Sequence, residues 1–303
     1  MHRILLLGRH GQVGTELAKV LKTLGDVTAL GREQADFSQP ASLRNVVLVH
    51  RPDIIVNAAA YTAVDRAESE PALAQAVNTD SPGVLAQAAR DIDALLVHYS
   101  TDYVFNGLKQ GPYVEDDATD PQGVYGRSKR DGETAVLASG ARHLILRTSW
   151  VYAAHGHNFV RTMLRLARER ETLRVVADQI GAPTGAATIA DITVQCLARL
   201  ADGTVDAAAV SGTYHLTASG ATSWHGLATA VVEQARATLA ADALAMRDIQ
   251  AITTAEYPLP APRPANSRMC CDKLQERFGV TLPAWQNEVA RVVQQLLAEP
   301  CQA

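Results

Sequence analysis

Apolar residues along the first half of the chain follow two alternating patterns. Residues 3–7 form an almost unbroken apolar run, the pattern of a strand covered on both faces, and Leu17, Val20, Leu21 and Leu24 follow at helical spacing. The alternation recurs, with strands predicted at 27–30 and 52–57, a helix at 73–89, a strand at 95–97 ending at Ser100, a helix over 128–137 and a strand at 143–147. Strands and helices in turn, with short connections, predict an α/β fold: a doubly wound parallel sheet of the Rossmann type.

Past about Tyr152 the alternation weakens. Residues 158–170 read as a helix whose Arg161, Arg165, Arg168 and Arg170 make a solvated face. An irregular polar turn, Asp178-Gln179-Ile180-Gly181-Ala182-Pro183-Thr184, is followed by a helix at 188–200, a strand at 214–217 and a helix at 224–239. The proline-rich stretch 258–264 is too rigid for a helix, and an amphipathic helix at 285–297 closes the pattern. We therefore expect a dinucleotide-binding domain over 1–152 and a smaller, mainly substrate-binding C-terminal lobe over 153–303, with roughly 186–217 returning to the first domain.

At 303 residues the chain exceeds the usual single-core size, which agrees with this division. A net charge of −4 without a basic stripe argues against nucleic acid as a partner. Cys196, Cys270, Cys271 and Cys301 have no framework spacing and read as reduced thiols. No apolar run approaches the ~20 residues of a membrane span, and residues 1–7 are too short for a signal segment, so a cytoplasmic protein is expected. His155 and His157 sit in a loop without a clear carboxylate partner, an unpromising metal site. Glu115-Asp116-Asp117 reads as a solvated loop.

The candidate chemistry lies at the strand ends. Gly8, Gly11 and Gly14, between the first strand and its helix, form a variant of the dinucleotide fingerprint, in which a tight turn and a helix N-terminus receive a pyrophosphate. After the second strand, Gly31-Arg32 replaces the acid that an NAD-specific site uses for the ribose; Arg32, with Arg9 as a second partner, suits a 2′-phosphate, while Asp36 is the alternative ribose contact. Ser100-Thr101 ends the fourth strand, where a parallel sheet presents its ligand. Tyr125 and Lys129 are four apart, so phenol and ammonium share a helix face. An adjacent ammonium favours the phenolate and lowers the tyrosine pKa, which makes Tyr125 a candidate general acid.

These motifs, together with Val56-Asn57-Ala58-Ala59-Ala60-Tyr61-Thr62, Ser100-Thr101-Asp102-Tyr103-Val104-Phe105, Arg147-Thr148-Ser149-Trp150-Val151-Tyr152, Gly181-Ala182-Pro183-Thr184 and Arg263-Pro264-Ala265-Asn266-Ser267, give the chain a resemblance along almost its whole length. It resembles the extended short-chain dehydrogenase/reductase superfamily and, within it, the dTDP-4-dehydrorhamnose reductase family. The resemblance implies reduction of the 4-keto group of dTDP-4-dehydro-L-rhamnose by NAD(P)H, and Gly31-Arg32 leans the choice to NADPH with NADH second. It gives Tyr125 the proton, Lys129 the nicotinamide ribose and Thr101 a hydrogen bond to the substrate oxygen. It places the cofactor against Gly11, Gln12, Val13, Asp36, Phe37, Ala60, Tyr61, Thr62 and Tyr99. The nucleotide-sugar falls against Thr101, Asp102, Trp150, Arg263, Asn266 and Ser267. Some members are described as holding Mg2+ at an acidic homodimer contact; Glu16 matches one acid, but Ala187 stands where a second would fall, which puts the metal in doubt and leaves a homodimer open. A nucleotide-sugar dehydratase is disfavoured because Tyr103 follows Asp102 where an extra acid is needed. A nucleotide-sugar epimerase, or a non-catalytic regulatory subunit like that of methionine adenosyltransferase, is separated by product analysis and by turnover.

Overall fold

The computed structural model describes residues 2–206, 210–240 and 243–298. Five strands, β1 (His2–Leu7), β2 (Gly25–Leu30), β3 (Ile54–Asn57), β4 (Leu95–Thr101) and β5 (His143–Thr148), enter one sheet. Short strands follow, β6 (Val151–Tyr152), β7 (Thr172–Val176), β8 (Ile180–Gly181) and β9 (Thr184–Gly185); then β10 (Gly212–His215) returns to the sheet, and β11 (Thr222–Ser223) and β12 (Asp248–Ile252) come after it. The sheet is parallel throughout, in the order β10-β5-β4-β3-β1-β2. The helices are α1 (Gln12–Val20), α2 (Pro40–His50), α3 (Val64–Ala67), α4 (Pro71–Gln75), α5 (Ser81–Asp91), α6 (Val124–Ala138), α7 (Phe159–Glu169), α8 (Ala186–Ala201), α9 (Trp224–Thr238), α10 (Asp272–Phe278) and α11 (Trp285–Ala298).

Alternate residues of β1 build the two faces, as the strand period requires. Ile4 and Leu6 pack with Leu17 and Leu21 beside α1, Ile189 and Cys196 of α8, and Phe278 of α10. Leu5 and Leu7 pack on the other side with Leu43 and Val47 of α2, Leu85 of α5 and Val136 of α6. Because both faces are covered, the central strands carry apolar residues without polar alternation. A separate core joins Val160 and Leu164 of α7, Val231 of α9 and Trp285 and Val292 of α11, beside the parallel pair β7 and β12.

Several expectations need correction. The helix predicted at 73–89 is present, with helical backbone running from Pro71 to Asp91, but it widens into a π turn at Ala76–Asp80 between α4 and α5. Pro82 has no N–H to donate to the carbonyl one turn back, so the regular α-helical bond is missing beside the widened turn. The side chain of Asn78 in that turn donates to Ser128 Oγ of α6 at 3.0 Å. The helix predicted from 128 begins at Val124, so Tyr125 stands in its first turn. The acidic run is not a freely solvated loop: Glu115 Oε1 accepts from the His215 amide at 2.9 Å, and Asp117 accepts from Lys109 and from the Val114 amide. His155 does have a carboxylate partner, Glu16, at 2.6 Å. The arginines of α7 are exposed, as read. Cys196, Cys270 and Cys271 are free thiols, and Cys301 lies outside the described residues. Among the described residues no helix is long and apolar enough to cross a membrane.

Candidate active site

The carboxyl ends of β1 to β5 open onto one crevice. At its start Gly8 has φ +85°, and a β-carbon there would lie 2.6 Å from the Ala59 amide nitrogen. Only glycine lets the β1 turn press this closely on the Ala58-Ala59 backbone. Gly11 then caps α1 with no side-chain hydrogen bond to its first amides, and a helix N-terminus of that kind attracts anions. The adjoining cavity, about 400 Å³, is lined by Gly8, Gly11, Arg32, Asp36, Phe37, Ala60 and Tyr61. Arg32 is largely exposed and lies 3.5 Å from Asp36. Asp36 accepts from the amide and hydroxyl of Ser38 at 2.9 and 2.8 Å; these bonds, the amide's first, hold its carboxyl below the usual range. Arg9 donates to His10 and faces Glu33 at 3.5 Å, so its guanidinium is already engaged. These surroundings fit a dinucleotide: a backbone-lined turn, a helix N-terminus and an exposed arginine lie on one cavity.

A second cavity of about 410 Å³ continues from Gly11, Ala58 and Ala60. Gln12, Val13, Thr62, Tyr99, Thr101, Asp102, Tyr125, Lys129, Trp150 and His157 line it. Thr101 ends β4; its Oγ1 accepts from the Tyr103 amide at 3.2 Å, donates to Asp102 at 3.1 Å and lies within hydrogen-bonding reach of the Tyr125 phenol. Burial pushes Tyr125 up to about 12, against the Thr101 bond. The expectation that the ammonium draws the phenol down is therefore not met; burial wins, and the phenol keeps its proton at neutral pH. Lys129 is 2 % exposed, and its Nζ donates to the Tyr99 carbonyl at 2.6 Å. Burial lowers its pKa to about 8, opposed by the negative charge of Glu133. Asp102 is raised to about 6 by burial, with Ser267 and Thr101 hydrogen bonds opposing.

Beyond Tyr103 a third cavity, about 590 Å³, is lined by Phe159, Gln179, Trp224, Tyr257, Pro262 and Arg263. Trp150, at φ +49°, stacks on Trp224 with ring centroids 3.6 Å apart. The backbone of Gly181 makes room for it, since a β-carbon there would lie 2.6 Å from the indole. Arg263 donates to Asp65 at 2.7 Å, so it meets the cavity with its charge already partnered. Asn266 is turned away from these cavities: its Nδ2 donates to the Lys109 and Gly111 carbonyls at 2.7 and 2.8 Å, which holds the neighbouring loop. Ser267 sits behind Asp102 rather than on the cavity wall.

The metal implied for some relatives does not fit these residues. Glu16 is taken by Lys19 at 2.8 Å and by His155, and Ala187 lines the same cavity without a donor side chain. Among the described residues no group of three or more His, Cys, Asp or Glu is placed to hold a metal ion.

Four residues that shape the site escaped sequence reasoning. Asn78 receives the Tyr61 amide at 2.9 Å and donates to the Tyr61 carbonyl at 3.0 Å, fixing that loop over the crevice. Glu68 accepts from the Val124 amide at 2.8 Å and sets the start of α6. Asn57 and His98 lie beneath Lys129. Asn57 and His98 each stand at a polar position in a buried strand, and that was the signal available.

A dinucleotide crevice meeting a threonine, tyrosine and lysine at the end of a parallel sheet defines an oxidoreductase of the short-chain dehydrogenase/reductase class, dependent on NAD(P)H. Residues 1–298 match the family model described as "RmlD substrate binding domain". The chain is 51 % identical over 297 residues, 98 % of its length and 100 % of the relative, to a dTDP-4-dehydrorhamnose reductase of Burkholderia thailandensis. It is 49 % identical to that of Escherichia coli, covering 97 % of each. Among solved structures it is similar to dTDP-4-dehydrorhamnose reductase from Bacillus anthracis in complex with NADP, at 32 % identity and a TM-score of 0.88, covering 97 % of this chain and 99 % of that one. The chain belongs to the dTDP-4-dehydrorhamnose reductase family.

Proposed function

We propose that the protein reduces the 4-keto group of dTDP-4-dehydro-L-rhamnose to give dTDP-L-rhamnose, with NADPH preferred and NADH accepted. The observation that carries this reading is the convergence of Thr101, Tyr125 and Lys129 on the cavity that continues from the glycine turn. Bound NADPH supplies the hydride. As charge builds on the sugar oxygen, the Tyr125 phenol donates its proton and the Thr101 hydroxyl, rotated away from Asp102, donates a hydrogen bond to the same oxygen. Lys129 offers its ammonium to the cofactor ribose. Asp102 and Trp150 hold the sugar, and the third cavity receives the nucleotide. In this reading residues 1–152 and 186–217 serve the cofactor, and the remainder of 153–303 serves the nucleotide-sugar.

The test is incubation with dTDP-4-dehydro-L-rhamnose and NADPH, following cofactor absorbance and identifying the sugar. One equivalent of NADPH consumed per dTDP-L-rhamnose formed supports the proposal. An isomeric keto-sugar without net consumption identifies an epimerase, and no turnover overturns the catalytic reading.

A further inference from the structure

The amine of Lys129 rests on a buried polar chain that the reaction above does not use. Asn57 is 1 % exposed and His98 is wholly buried. The Ala59 amide donates to Asn57 Oδ1 at 3.1 Å, which fixes the amide orientation and turns Asn57 Nδ2 toward His98 Nδ1 at 3.0 Å. An amide nitrogen can only donate, so Nδ1 must accept and carries no proton. A neutral imidazole then has its proton on Nε2, the atom that stands 3.4 Å from Lys129 Nζ. Burial, together with the positive charge of Lys129, holds His98 well below the usual histidine range, which keeps the ring neutral.

We propose that His98 is a positioning residue for Lys129: locked by Asn57 with its Nε2–H toward the amine, it denies the ammonium a second protein acceptor and leaves two of the three N–H groups for the ligand in the crevice. An ammonium has three donors and no lone pair. One donor goes to the Tyr99 carbonyl. His98 is the nearest alternative and, in this tautomer, offers a donor in return. The 3.4 Å separation is long beside the 2.6 Å bond to Tyr99, as expected for a contact that is no hydrogen bond in the charged state. When Lys129 is neutral its lone pair can accept from Nε2–H, so the same contact favours loss of the lysine proton. The charge that acts on the amine besides is Glu133, one turn along α6 and itself paired with Arg147, while Tyr125, Asp102 and His157 line the same cavity as Lys129.

The inference rests on the reductase reading only for the identity of the crevice ligand, and its first test is independent of activity. In cofactor-free protein labelled at the imidazole nitrogens, NMR at neutral pH should show His98 neutral with its proton on Nε2; His98→Gln assigns the signals by their loss. A proton on Nδ1, or an imidazolium, overturns the proposal. Asn57→Asp supplies a carboxylate that can only accept, so the imidazole proton moves to Nδ1 and leaves Nε2 bare, an acceptor that pulls a Lys129 N–H back from the crevice. Its dissociation constant for NADPH, read by fluorescence titration, should rise roughly tenfold, the loss of one charge-assisted hydrogen bond. An unchanged constant in the folded variant with a bare Nε2 would leave His98 a packing residue. A wild-type protein that shows the Nε2 tautomer and binds NADPH but reduces no nucleotide-sugar would sink the reductase reading alone.

Discussion

Glu133 of α6 and Arg147 of β5 meet through two hydrogen bonds, 2.9 Å from Nε and 2.7 Å from Nη2, with both side chains buried. The guanidinium also lies 5.0 Å from the centroid of the Phe105 ring. The pair joins the helix that carries Tyr125 and Lys129 to the sheet that carries Thr101, one helical turn from the lysine.

Removing one partner leaves the other charge buried, so Glu133→Ala should destabilise the protein by about 3–5 kcal/mol. Urea unfolding reads this as a lower midpoint at constant slope. A loss below ~1 kcal/mol would mean that Arg147 finds water or another acceptor.

The Glu133 carboxylate also favours the charged form of Lys129, whose pKa burial lowers to about 8. The ammonium is lost as pH rises through that value, so kcat/KM for NADPH should fall above pH about 8. In Glu133→Gln the supporting charge is gone and the fall should begin at lower pH. A wild-type profile level far into the alkaline range would exclude Lys129 as the titrating group.

Tyr125→Phe keeps the ring and removes the proton, so turnover should drop ~10²–10⁴-fold with NADPH binding nearly unchanged. Activity within a few-fold of wild type would remove the phenol from the mechanism.

Arg32→Ala should lower kcat/KM for NADPH roughly tenfold or more and spare NADH, since one charged contact of ~1.5–3 kcal/mol is lost. Equal effects on both cofactors would show that Arg32 faces solvent in the complex and that Asp36 governs the ribose.

Because Glu16 is engaged by Lys19 and His155 and Ala187 offers no ligand, activity and assembly should withstand EDTA. A large loss restored only by magnesium, in rate or sizing assays, would contradict this.

The sheet was legible because β1, β3, β4 and β5 are covered on both faces and so appear as short, strongly apolar runs. Thr101, Tyr125 and Lys129 were legible for a related reason: strand ends and helical spacing place them without knowledge of anything distant. What escaped was non-local. Nothing near Asn78 in sequence announces that its amide will clasp Tyr61, and α2, with its Leu43 and Val47 stripe, was passed over between strands. The phenol's upward shift was misjudged because a neighbouring charge can be counted from sequence, whereas depth of burial cannot.

The return of β10 to the side of β5 has a consequence for synthesis of the chain. Everything from Ser149 to Ser211 must leave the ribosome before the outer strand exists, although β4, β5 and the Tyr125 helix are long complete. Until then β5 presents an unpaired apolar edge, the surface on which partly made chains join one another. Closing so long a loop costs entropy before its parallel pairing returns any stability. The nascent protein therefore holds Thr101, Tyr125 and Lys129 on an unfinished sheet for as long as residues 149–211 are being made.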